Sequence, residues 1–342
     1  MKKILKYLFI FVLIIFVIPA VCTKNSTGTS EAIEISNTEN NDEDDSSENQ
    51  VTYDYAKYGT IKLYHSDTEE IEEISIDEYL YGTVSAEMPV SYEVEALKAQ
   101  AIVSRTYTLY QIINNSSKHG DADICDDSSC CQAWISKEDR LEKWDEDEKD
   151  SNWEKIVSAV DDTSGQIITY NDEPIDAFFH SNSGGTTETV SNVWGGTDLP
   201  YLQSVETSGE SEYSQYSSEV TISKDDLVEK LKAENSDFEI DFDDENCIEI
   251  LEYTDSGRVK TIKFGNCEFA GTRIRSLLGL KSTNFSFEID DDDITFSVTG
   301  YGHGVGMSQT GADSMAKEGS TYEEIIKHFY TDVEIIYVND LT

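Results

Sequence analysis

The sequence predicts an α+β fold: a helical portion carrying Glu87, set against antiparallel strands, after an N-terminal membrane anchor. Three observations predict it. Residues 76–110 have helical spacing broken once, at a proline; residues 165–180 and 247–267 read as hairpins; and a strand-like run, ITFSVTGYG (294–302), enters a glycine-rich loop.

Composition bounds the partners. Of 342 residues, 69 are acidic and 25 basic, a net charge of −44, so nothing here neutralises a run of phosphates. Nucleic acid is excluded on that ground, and docking on an anionic lipid surface is disfavoured. A neutral or weakly charged polymer is the more natural partner. The hydrophobic share of 38%, with 19 tyrosines, is enough for a packed core. Six cysteines, Cys22, Cys125, Cys130, Cys131, Cys247 and Cys267, are too few for a disulfide-dense scaffold and suggest one local cluster plus one pair.

Taken in order, Lys2, Lys3 and Lys6 precede the apolar run LFIFVLIIFVIPAVC, which reads as a spanning anchor over residues 1–22 with its N-terminus in the cytoplasm. A cleaved signal peptide is the competing reading, but the Pro19-Ala20-Val21-Cys22 end matches a cleavage site poorly. Residues 23–50 are dominated by Ser, Thr, Asn, Glu and Asp, too polar to bury enough surface to fold, and read as a disordered acidic linker. Residues 51–342 form the folded domain. IKLYH (61–65) alternates as a strand does.

Ser75 and Glu78 have capping-box spacing, so a helix starts at Ile76, and Pro89 ends it near Glu87. Ser91 is the expected cap of the next helix, whose narrow apolar face runs Val94, Leu97, Ala101, Ser104, Thr108. Lys98 and Arg105, seven apart, share one line along it. A carboxyl at the corner between the two helices, partly covered by Met88, would have its pKa raised by desolvation and suit a general acid. The same spacing also fits a solvated helix-end glutamate.

Further along, 153–160 reads as a helix. GQIITY (165–170) and IDAFFH (175–180) read as a hairpin, and 204–218 as a connection. SKDDLVEKLKAE (223–234) is an amphipathic helix, and 247–267 a hairpin that sets Cys247 nearly opposite Cys267, as a disulfide or as two thiols. TRIRSLLGL (272–280) is helical. Two closing helices follow, one starting at Ser308-Gln309 and the second introduced by Ser320-x-x-Glu323.

His119, Cys125 and Cys131 are spaced six apart in an acidic loop, natural ligands for Zn²⁺; a local disulfide and free thiols fit the spacing as well, and Cys130 is the doubtful neighbour. The short polar run His180-Ser181-Asn182-Ser183 fits sugar hydroxyls or ordinary turn chemistry. In GYGHGVGMSQ the alternate glycines let backbone approach a ligand around His303.

Three blocks, SAEMP (85–89) with EALKAQAIVSRTY (95–107), FFHSNSGGTTE (178–188) and GYGHGVGMSQTGA (300–312), resemble the stage II sporulation protein D family, cell-wall lytic enzymes of endospore-forming bacteria. The resemblance implies a lytic transglycosylase that cleaves the MurNAc–GlcNAc bond of peptide-stripped peptidoglycan strands to 1,6-anhydro products. It implies Glu87 as the catalytic residue, Lys98 and Arg105 orienting the sugar or the acid, and His180, Ser181, His303 and Gln309 lining the cleft. It also implies a supporting zinc on His119, Cys125 and Cys131, and work during forespore engulfment beside an amidase (stage II sporulation protein P) and a membrane protein of the engulfment complex. The domain would face the intermembrane space from the mother-cell membrane, with a homodimer left open. Two alternatives stand beside it, a zinc-dependent cell-wall amidase or peptidase and a non-catalytic glycan-binding scaffold.

Overall fold

The structure, a computed structural model, describes residues 53–114 and 119–341. The anchor and linker expected over residues 1–50 lie outside the described residues. Among those described, no helix is long and apolar enough to cross a membrane.

The α+β class is as expected. Strands β1 (Thr60–His65) and β2 (Glu70–Ser75) form an antiparallel hairpin. The Ser75 side chain accepts from Glu78 N and caps α1 (Ile76–Glu87), as the capping-box spacing predicts. Met88 takes extended geometry before Pro89 and ends the helix at Glu87.

Helix α2 (Val94–Ile113) is not capped by Ser91. A turn in which Tyr92 N donates to Pro89 O takes up that stretch, and Glu93 becomes the N-cap, its N–H donating to Asp313 Oδ1 at 2.6 Å. The apolar surface of α2 is not a narrow face either. Ala96, Leu97, Ala99, Ile102 and Val103 are all buried while Val94 is exposed, so the helix is surrounded. Burying each Leu or Ile of this set contributes roughly 1.5–3 kcal/mol, and the alanines admit close neighbours.

Strand β3 (Ile124–Cys125) joins β1 in parallel, and α3 (Lys137–Leu141) and α4 (Lys149–Asp161) follow. The hairpin expected over 165–180 forms only at its turn. β4 (Gln166–Tyr170) pairs with the two-residue β5 (Glu173–Pro174), where proline ends the ladder. The rest of the segment leaves as β6 (Phe179–His180), followed by α5 (Val190–Trp194).

A second core then forms within the same body. β7 (Ser217–Ser223), α6 (Lys224–Glu234), β8 (Ile248–Tyr253), β9 (Val259–Phe264), β10 (Cys267–Ala270), α7 (Gly271–Leu278), β11 (Phe285–Ile289) and β12 (Asp293–Thr299) make two antiparallel three-stranded sheets, β11-β12-β7 and β10-β9-β8, with two helices. They enclose Leu231, Phe238, Phe264, Ile274 and Phe296. The hairpin β8–β9 is as expected, but Cys247 and Cys267 do not face each other across it. The chain turns again after Phe264, which pairs with Ile248 on one side and Cys267 on the other, so the two cysteines flank β9 from opposite edges, unbridged.

The chain returns to the first core through β13 (Met307–Ser308), α8 (Gln309–Lys317), α9 (Tyr322–Phe329) and β14 (Glu334–Tyr337), which completes the sheet with β4. Ser308 caps α8 as expected. The second capping box is one residue later than the sequence suggests, Thr321 with Glu324, because Ser320 N is already spent closing α8 on Met315 O. Helix α2 is the hub of this core, packed by α1, α4, α8, α9 and β4.

Candidate active site

Strands β6 and β13 run parallel, pairing Phe179 with Met307 and Ser308 with His180, and so lay the FFHSNSGG and GYGHGVGMSQ segments side by side. The approach requires glycine: a Cβ on Gly306 would sit 1.9 Å from Phe178 O. Beside this pair opens a groove of about 860 Å³, lined by residues that include Glu87, Asp176, His180, Ser181, His303 and Gln309.

Glu87 is mostly covered yet faces the groove. Its Oε1 accepts from Ala133 N at 2.6 Å and its Oε2 from Gln309 Nε2 at 3.2 Å. Burial raises its pKa, opposed by those two hydrogen bonds. The carboxyl therefore favours holding a proton above the usual glutamate range, as a general acid requires.

Of the six residues expected to contact or orient the sugar, the structure gathers four at the groove and leaves two outside it. Gln309 also donates to Gln100 Oε1 at 3.4 Å, so Gln100 marks the side of α2 that faces Glu87. At 3.6 residues per turn, Lys98 and Arg105 are rotated about 140–160° away from it. Lys98 pairs with Asp162 at 3.0 Å and Glu95 at 3.5 Å. Arg105 is 0% exposed and donates to Tyr55 Oη at 3.0 Å and to the carbonyls of Thr163 and Gln166. The expectation that this pair orients the sugar or the acid is therefore corrected: both ends are committed to the far side of the helix.

His180 and His303 are neutral by burial, the first lowered to about 4 and the second well below its ordinary value. His180 Nδ1 lies 3.1 Å from Val305 O, which makes it the protonated nitrogen and leaves Nε2 a lone-pair acceptor; that Nε2 is buried without a partner. His303 Nδ1 accepts from Val305 N at 3.0 Å. Both imidazoles thus serve as fixed hydrogen-bonding groups, 5.6 Å apart.

The ligand atoms of His119, Cys125, Cys130 and Cys131 lie within 4.8 Å of one another. Cys130, doubtful by spacing, belongs to the group, its Sγ 3.3 Å from His119 Nε2. Three thiols and one imidazole match a closed tetrahedral zinc set in chemistry and number. The same loop runs on to Gln132, which donates to Tyr79 Oη and Thr108 Oγ1, and to Ala133, whose N–H touches Glu87. The thiol cluster thereby anchors one of the two donors to the acid.

Several groove residues escaped the sequence reading. Asp176 has a carboxyl pushed up to about 7 by burial, with Oδ1 unpartnered. The alternation of Asp176 and Phe178 with the buried Ile175 and Ala177 was the signal, since it sets the first pair on the face opposite the second. Trp194, 52% exposed, packs at a tilt against Phe178 at 4.8 Å and His303 at 5.0 Å, and Tyr301 is 41% exposed; flat apolar faces of this kind suit sugar rings. Glu210, within the supposed connection, is buried beneath the SNSGG loop and accepts from Ser183 N and Gly185 N at 3.0 Å and from Thr207, Ser308 and Thr310. Burial works against its charge, but the bonds from Ser183, Ser308 and Thr207 win and hold it down at about 2. From the second core, Arg258 donates to Ser183 O at 2.6 Å and Thr186 O at 2.8 Å, tying that core to the same loop.

The fold and site define an α+β protein whose groove is built round a buried carboxylic acid. Residues 64–170 match a family model described as stage II sporulation protein. The chain is 34% identical over 278 residues to stage II sporulation protein D of Bacillus subtilis, covering 81% of this chain and 78% of that protein. The Bacillus amyloliquefaciens protein of the same name is also 34% identical, over 81% and 78%. A protein named amidase enhancer from Bacillus subtilis is 27% identical over 73% of this chain and 39% of its own length. The chain belongs to the stage II sporulation protein D family.

Proposed function

We propose that this chain is a lytic transglycosylase that cleaves the MurNAc–GlcNAc bond of peptide-stripped peptidoglycan strands during forespore engulfment. The observation that carries this reading is Glu87, an acid favoured in its protonated form and open to a groove floored by hydrogen-bonding groups and aromatic rings. Glu87 gives its proton to the glycosidic oxygen as the bond to muramic acid C1 breaks, and the released GlcNAc carries the new hydroxyl. The C6 hydroxyl of the same muramic acid attacks C1, and Glu87, now a carboxylate, takes the hydroxyl's proton. The product is the 1,6-anhydro sugar and the acid is restored. One carboxylate suffices because the sugar supplies its own nucleophile, where ordinary glycosidases need a second acidic residue.

Gln309 and Ala133 N–H hold the carboxyl in place and stabilise its anionic form between the two transfers. His119, Cys125, Cys130 and Cys131 would hold a zinc ion that braces the Ala133 loop; thiolate-rich ligation makes for a weak Lewis acid and suits a supporting role. The amidase stage II sporulation protein P and a membrane protein of the engulfment complex are the proposed partners. The proposed setting is the mother-cell membrane with the domain facing the intermembrane space. A second reading, a glycan-binding scaffold that aids an amidase, is favoured by the name of the amidase enhancer relative. Mass analysis of purified stripped strands incubated with the chain separates them: shortened strands ending in anhydro-muramic acid support the enzyme, and unshortened strands the scaffold.

A further inference from the structure

Among the described residues, Arg275 is the only Lys or Arg that lines the groove. It is delivered by the second core, from α7, where Ile274 and Leu278 are buried in that core. Two residues earlier, Arg273 bonds Glu234. Among the described residues Arg275 has no carboxylate within ion-pair distance, in a chain with 69 acidic side chains. It is partly buried, and its charge bears on His180, His303 and Tyr301, so it belongs to the aromatic end of the groove. A partly buried guanidinium with no anion beside it is costly, and a planar fork of donors is best met by a carboxylate.

A glycan strand of alternating GlcNAc and MurNAc offers one kind of anion, the carboxylate of the 3-O-lactyl group. With a stem peptide attached that carboxyl is an amide and carries no charge. We infer that Arg275 binds the free lactyl carboxylate of a muramoyl residue, so that the groove reads removal of the stem peptide. The inference rests on the glycan reading above and adds a specificity-determining residue to it. It also gives the second core a direct part in the site.

The test uses the full-length chain and stripped strands in two forms, one with free lactyl carboxylates and one with the same groups converted to methylamides. Binding is read by titration calorimetry and cleavage by product mass. Wild type is expected to bind the acid form roughly ten- to hundredfold more tightly than the amide, the range of one charge-assisted contact. Arg275→Gln should bind both forms as weakly as wild type binds the amide, with an unchanged circular dichroism spectrum, and Arg275→Lys should keep part of the preference. Equal binding of both forms by wild type, or a preference that survives in Arg275→Gln, overturns the inference. Discrimination in binding with no cleavage of either form would remove the transglycosylase and leave Arg275 in its role. Binding of neither form overturns both.

Discussion

Gln309 Nε2 donates to Glu87 Oε2 at 3.2 Å across 222 positions of chain, so the first residue of α8 touches the last residue of α1. The acid is set between two helix ends and the thiol-bearing loop, and each of the three can be tested separately.

Glu87→Gln removes the proton that moves and keeps the shape. Anhydro-sugar formation should fall by on the order of 10²–10⁴-fold or more while the thermal midpoint and glycan binding change little. Product mass and calorimetry check this. Full turnover in the variant would take Glu87 out of the mechanism.

Gln309→Leu tests the acid's tuning. The amide hydrogen bond lowers the Glu87 pKa against the larger effect of burial. Without it the pKa rises further, the protonated form persists to higher pH, and the alkaline limb of the kcat/KM profile should move upward. A limb that stays in place or moves down would show that Gln309 does not bond the reacting carboxyl.

If the thiol cluster holds zinc as proposed, a chelator should lower the melting temperature and slow turnover without changing the products, because the bracing of Ala133 N–H is lost and the chemistry is not. If all four side chains hold the ion, Cys130→Ser and Cys131→Ser should weaken metal retention to a similar degree, read by metal content after dialysis. Full retention in Cys130→Ser would return the site to three protein ligands.

Glu210 sets an acid limit on stability. Its folded pKa of about 2 is below the usual carboxylate value near 4.5. Its contribution is therefore fully present above about pH 4.5 and is lost as pH falls through 2. The span corresponds to roughly 3 kcal/mol. Denaturant unfolding across that window should show a shallower pH slope in Glu210→Gln, together with a lower stability at neutral pH. An unchanged slope would mean that other carboxylates govern the acid limb.

How legible was this site beforehand? The helix break at Glu87, the caps at Ser75 and Ser308, the thiol cluster and the histidines of the two glycine-bearing loops were all readable, because each is declared by residues close along the chain. Lys98 and Arg105 misled because seven-residue spacing tells that two side chains share a line, not which way the line faces. Glu210 looked like part of a polar connection, since a buried and a solvated glutamate are spelled the same way.

Fold class, the corner on which the acid stands and the family are all written in the order of residues along the chain. Those follow from interactions within a few residues, namely caps, proline geometry and hydrophobic period. The tertiary structure alone decided that Gln309 and Ala133 touch Glu87, that Arg105 is tied to Tyr55, and that Arg275 comes into the groove from the second core. Those relations join positions tens to hundreds of residues apart, and only tertiary packing, within the first core and between the two cores, settles which faces meet.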